Sequence, residues 1–190
     1  MLAVESMARV AMEVRSAIDA NPMQWWFAIT DIDLALTAQL IASLSGTMHI
    51  GALKTEHRDA WLDHLNNHST GNPVLRNGKP FKDSIAQLKQ LLERAKDTSY
   101  SFRTNLGYSF DLSASEEKDI LRLHRFRNNL AHVKPTSWSL EVSGLPRMVH
   151  AATKAVEQLF ETCSEKFHLV KDDVLRMKNS IKEILSFLEV

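Results

Sequence analysis

Residues 21–46 read NPMQWWFAITDIDLALTAQLIASLSG. Asn21 suits a helix N-cap, Pro22 the first helical position, and Gln24 can close a capping box, while Gly46 is a fitting C-terminal stop. Between them Trp26, Ile29, Leu36, Leu40 and Leu44 share one face, with Leu34 and Ile41 beside it. A helix apolar over so much of its circumference belongs at the centre of a protein, with other helices around it. Asp33 falls inside the apolar arc. A carboxylate there needs a partner if buried. It can orient Arg127 or a histidine, join an ion pair within the bundle, or sit exposed at the helix edge.

Working outward, the pattern stays helical. Residues 4–20 carry Met7, Val10, Val14 and Ile18 on one side. A shorter helix is expected over 54–68, then a loop over 69–80 (STGNPVLRNGKP) rich in turn formers. The next helix is expected over 81–97, with Ile85, Leu88, Leu92 and Ala95 inward. Residues 98–112 form a loop carrying Tyr100, Phe102, Arg103, Tyr108 and Phe110. Ser113 and Glu116 make a capping box for a helix that must end near His132, because Pro135 drives Lys134 out of helical geometry. A long helix over 146–168 and a last one over 171–189 complete the chain. The last shows Val174, Met177, Ile181, Ile184 and Leu188 at spacings of three and four, a seam suited to packing on the bundle or on a second subunit. No strand or internal repeat is expected. The fold class is all-α: one domain over 1–190, a bundle of about five to six helices with an extra helix at each end and a core over about 23–168.

Composition bounds the function. The chain has 190 residues, 23 Lys plus Arg against 23 Asp plus Glu, and one cysteine, Cys163. Zero net charge argues against broad, sequence-independent nucleic-acid binding but leaves room for a small local basic site. One cysteine permits neither an intramolecular disulfide nor a cysteine-built zinc site. The first fifteen residues, with Glu5, Arg9 and Glu13 spaced through them, lack the apolar core of a secretory signal. Charge is expected to interrupt the apolar runs before membrane-spanning length. The expectation is a cytoplasmic protein with no membrane partner.

The chemistry-bearing stretch is Arg125-Phe126-Arg127-Asn128-Asn129-Leu130-Ala131-His132. An arginine and a histidine one turn apart can handle a phosphodiester without a metal, since arginine holds phosphate oxygens and histidine moves protons near neutral pH. On a helical wheel Leu123, Phe126, Leu130 and Val133 share the inward face. Arg127, Asn128, Ala131 and His132 fall on another arc with His124. His124, Asn128 and His132 stack at i, i+4 and i+8. Ala131, small, lets a helix or a phosphate backbone come close. His132 lies in the last turn, where the helix dipole favours an imidazolium. The same residues on a solvated helix face need have no function at all.

Arg127, a polar Asn128 and His132 on a late helix of an all-helical chain resemble the signature of the HEPN superfamily. The resemblance covers the core from about 23 to 168, and its specific part is the motif helix. It implies a metal-independent endoribonuclease acting as a homodimer, two copies of the motif facing one cleft, with RNA as partner and no cofactor. It then gives His132 the ribose 2′-hydroxyl proton, Arg127 the non-bridging phosphate oxygens, and Asn128 the orienting of His132 or a phosphate contact. The products would be a 2′,3′-cyclic phosphate and a 5′-hydroxyl. His124, Lys134 and Arg103 become auxiliary substrate contacts. Membership also suggests phage defence or toxin–antitoxin roles, with an antitoxin or regulatory protein as a further partner. One departure is that the toxin-type subset often carries a tyrosine two residues after the histidine, where this chain has Lys134.

Two other readings compete. A non-catalytic module of the same superfamily would dimerise or bind nucleotide or protein. A metal-dependent hydrolase would use the stripe His57, Trp61, His64 and His68, in which His64 and His68 have chelating i, i+4 spacing without a close third ligand. An amphipathic face anchored by Trp61 accounts for that stripe more simply, and no metal site is assigned. The aromatics of 98–112 suit base stacking, or more simply fold back onto the core.

Overall fold

The structure is a computed structural model. It describes residues 2–19, 21–45, 50–67, 70, 73–75, 84–100, 110–131, 142–163 and 170–188. Its helices are α1 Leu2–Asp19, α2 Gln24–Ser45, α3 Thr55–Asn66, α4 Leu88–Lys96, α5 Ala114–Ala131, α6 Leu145–Cys163 and α7 Lys171–Leu188. The protein is an all-α bundle, and α1 and α7 add an outer helix at each end of the chain.

α2 is the hub. Its buried positions are Trp25, Ala28, Ile29, Ile32, Asp33, Ala35, Leu36, Gln39, Leu40, Ser43 and Leu44, a stripe at spacings of three and four. It packs against α1, α4, α5 and α6. By length and hydropathy alone α2 would pass for a membrane span, contrary to the expectation that charge breaks every such run. In the fold it is a core helix, with Asp31 and Asp33 both engaged by other helices. The turn before it forms as expected at Asn21, whose side-chain Oδ1 accepts from the Met23 amide at 3.1 Å.

α1 folds back on α2 through Met7, Val10 and Val14, all buried, but Ile18 is exposed because the buried stripe steps from Val14 to Ala17 instead. α7 fits onto α1 and α6, burying Met177, Ile181 and Ile184 within the chain. Glu5 and Arg176 clasp α1 to α7 through two hydrogen bonds of 2.5 and 3.0 Å. Three buried hydroxyls on α2, α6 and α7 are satisfied by back-bonding. Ser43, Thr153 and Ser180 each donate to the carbonyl four residues earlier.

The helix expected over 81–97 begins only at Leu88, and Ile85, expected inward, is exposed. The backbone before it bonds elsewhere: the Lys54 amide donates to Ser84 O at 2.8 Å and the Ala86 amide to Ala52 O at 2.9 Å. Leu53 and Ile85 thus form an isolated antiparallel bridge in a chain otherwise read as strand-free. Arg94 reinforces this corner, donating from Nη1 to Gly51 O and Leu53 O and from Nη2 to Thr55 Oγ1. Burial pushes its guanidinium below the usual arginine pKa. Tyr100 donates to Gly51 O at 2.7 Å and lies beside the guanidiniums of Arg58 and Arg94. Tyr100 packs on the core and Phe110 is buried, so these two loop aromatics do fold inward. Phe102, Arg103 and Tyr108 lie outside the described residues.

Between α1 and α2, Arg9 holds Asp31 through two hydrogen bonds of 2.6 and 2.8 Å. Glu13 stands in the same cluster, with its Oε2 buried and unpartnered among the described residues. Burial, then the nearby Asp31 charge, pushes its carboxyl up to about 7. A carboxyl raised in the folded state adds stability that is complete below its unfolded value and is lost as pH climbs through the folded one. Glu13→Gln is therefore expected to stabilise the protein at pH 8 by about 1–2 kcal/mol after solvent screening. The gain should shrink towards zero between pH 7 and 4.5, as read by urea denaturation across that window. A gain that stays constant with pH would refute the assignment.

Candidate functional site

α5 starts at the predicted capping box. The Ser113 amide donates to Glu116 Oε2 at 2.9 Å and the Glu116 amide to Ser113 Oγ at 3.2 Å. The Ser113 hydroxyl, donating to Glu116 Oε2 at 2.6 Å, and then the Ser113 amide hold the Glu116 carboxyl below the usual range. With its start fixed, the helix rotation follows from Ile120 and Leu123, both buried. The heptad position that Ile120 sets recurs at Arg127, and the position four residues after Ile120 is His124. Arg127 and His124 therefore face α2 on the flank of the apolar seam. Arg127 was expected on an arc apart from the core. Here it is half-buried because the seam is closed by Asp33, a polar residue in the α2 stripe.

Asp33, its side chain 4% exposed, sits against this face of α5. Its Oδ1 lies 2.8 Å from His124 Nδ1, and its Oδ2 lies 3.7 Å from Arg127 Nε. Arg127 Nη1 donates to Asn128 Oδ1 at 3.1 Å, and Asn128 Nδ2 lies 3.1 Å from His124 Nε2. The donor roles follow in order. Arginine only donates, so the Asn128 oxygen must face Arg127 and its amide nitrogen must face His124. His124 Nε2 then accepts, its proton sits on Nδ1, and Nδ1–H donates to Asp33. The chain Arg127 → Asn128 → His124 → Asp33 closes electrostatically on Arg127. Each bond in such a ring polarises the next.

This arrangement assigns places to the sequence-predicted residues. Arg127 and Asn128 are brought together and fixed. Arg127 Nη2 has no partner among the described residues, which leaves one prong of the fork for an anion. His124, expected as a substrate contact, has both ring nitrogens engaged, by Asp33 and by Asn128. His132, Lys134 and Arg103 lie outside the described residues. The sequence raised Asp33 as a candidate partner for Arg127 or a histidine, and the structure pairs it with both. It did not single out Arg122 and Arg125, exposed on the outer side of the same helix, although the run Arg122-Leu-His-Arg125-Phe-Arg127 carries the signal.

The histidine stripe of α3 goes from buried at His57 to half-buried at Trp61 and His64. His57 is buried beside Glu56 at 3.4 Å, while Trp61 and His64 pack edge to face at 5.9 Å, and His68 lies outside the described residues. No three potential metal ligands converge among the described residues. No family model matches the chain, and no curated protein or solved structure matches it at a significant level.

Removing one member of a buried charged network leaves the others unsatisfied, whereas removing several together for apolar groups need not. Asp33→Ala is therefore expected to cost about 3 kcal/mol in urea denaturation. Asp33→Leu combined with His124→Leu should recover more than half of that loss. Equal stability of Asp33→Ala and the wild type would show that the ring does not bear on the fold.

Proposed function

We propose that this protein is a metal-independent endoribonuclease of HEPN type, with Arg127, Asn128 and His132 as its reactive set at a homodimer interface. The single observation that supports this most is the Asp33–His124–Asn128–Arg127 ring. Apolar side chains would close the α2–α5 seam at less cost than four polar ones. A polar ring kept in such a place, next to a motif with phosphodiester chemistry, fits a site where orientation matters more than stability.

In this reading His132 takes the proton from the ribose 2′-hydroxyl. The 2′-oxygen forms a bond to the adjacent phosphorus as the bond to the 5′-oxygen breaks. That 5′-oxygen leaves with a proton from solvent or from the second copy's motif, giving a 2′,3′-cyclic phosphate and a 5′-hydroxyl. Arg127 donates from its unengaged prong to the non-bridging oxygens, where negative charge grows in the transition state. Asn128, held on both sides, keeps Arg127 from swinging into solvent. The ring thus acts by pre-orientation.

The test is cleavage of a labelled single-stranded RNA in EDTA. Wild type should yield cyclic-phosphate ends. Arg127→Ala and His132→Ala should each lose about a hundredfold or more in rate. Asn128→Ala should lose less, since it acts through Arg127. A folded, dimeric wild type that binds RNA without cutting it would overturn the nuclease and leave a non-catalytic module of the same superfamily.

A further inference from the structure

The described arginines divide sharply. Arg9 pairs with Asp31, Arg15 with Glu183, Arg58 with Asp59, Arg127 with Asp33, Arg147 with Asp119 and Arg176 with Glu5, and Arg94 is held by backbone carbonyls. Arg122 and Arg125 have no carboxylate or carbonyl partner among the described residues, and both are exposed. They are neighbours at i, i+3 on α5 and line, with Phe126 and Asn129, a pocket of about 250 Å³.

In a chain with no net charge, two adjacent arginines left without acids are a local excess of positive charge. The acids of α5 do not offset it. Glu116 is bonded to Ser113, Glu117 to Lys96 and Asp119 to Arg147. The helix dipole favours cations late in the helix, which accounts for the order of charge along α5 but not for the missing partners. Arg122 is also held in place, its guanidinium 5.6 Å over the Phe126 ring. That support lowers the entropy cost of presenting the planar fork outward.

The patch borders the ring at Asn128. Arg125 lies about 60° around the helix from Asn128 and about 4.5 Å along the axis, and Asn129 is one residue further on. Arg127 itself points about 160° away from Arg125, toward α2, so a strand whose reacting phosphate sits on Arg127 would reach this outer arc by crossing the Asn128 edge of the helix. We propose that Arg122, Arg125 and Asn129, set around Phe126, form a subsite for the phosphodiester backbone of single-stranded RNA on the outer face of α5, bordering Asn128. The direction of the strand rests on the nuclease reading above; the anion subsite itself rests on the unpartnered arginines. The subsite contacts phosphates and carries no base preference.

The experiment measures binding of a fluorescent 2′-O-methyl single-stranded oligonucleotide by anisotropy. This probe cannot be cleaved through its 2′-position, so binding is read apart from chemistry. Arg122→Gln/Arg125→Gln should weaken binding about tenfold or more at low salt and reduce the slope of log affinity against log salt by about 1.4, the value for two phosphate contacts on a single strand. Arg122→Lys/Arg125→Lys should retain most of the slope. Arg15→Gln/Arg176→Gln removes the same charge elsewhere and should change affinity less than twofold. A double Gln variant that binds like the wild type with an unchanged slope overturns the subsite, whatever the cleavage result. Wild-type binding of acidic peptide or anionic vesicles in preference to the oligonucleotide also overturns it. Oligonucleotide binding that depends on the two arginines, with no cleavage of ordinary RNA, keeps the subsite and removes the nuclease.

Discussion

The Asp33 carboxylate lies in the buried stripe of the helix that four others pack against, and a charge in that position must be met by a donor from a neighbour. α5 supplies two, His124 and Arg127, and can do so only in one rotation about its axis. That requirement turns the apolar contact of Ile120 and Leu123, which alone tolerates some slippage, into a fixed register. Asn128 is then located by its two neighbours rather than by its own packing. The polar ring specifies how α2 and α5 meet, and Arg127 and Asn128 inherit their positions from it.

Much of the architecture was legible because helical periodicity and caps are local. The Asn21 turn, the Ser113–Glu116 box and the α7 seam each involve residues close in sequence, and each forms as read. The late start of α4 was not legible. Its cause is a backbone pairing of residues 52–54 with residues 84–86, and nothing in the apolar pattern of Ile85, Leu88 and Leu92 reports such a distant partner. The exposure of Ile18 was not legible either, since a wheel does not say whether the stripe in the last turn passes through Ala17 or Ile18.

The candidate site was half legible. Arg127 and Asn128 stand out as types at a spacing, and Asp33 stands out as a charge in an apolar arc. The wheel nevertheless put Arg127 apart from the core, because it takes the inward face to be apolar throughout. Where a buried acid sits opposite, the inward face selects a cation. The role of His124 depends on which nitrogen carries its proton, a property set by Arg127 through Asn128 and visible only once all three side chains have coordinates. The significance of Arg122 and Arg125 lies in the partners that the other described arginines have and that these two lack among the described residues, which a list of residues does not contain.

The clasp of α1 and α7 bears on how the chain reaches this state. The two helices are joined by the Glu5–Arg176 pair across 171 positions of sequence and cover each other's apolar faces. Contacts of such separation require closure of a very long loop before they return any energy, so they form late in folding. Until then Met7, Val10 and Val14 stand uncovered on one side while α2 already shields the other. A nascent chain is thus left with an open apolar groove along α1 until α7 has been made. The last eighteen described residues act as the closing piece of the bundle.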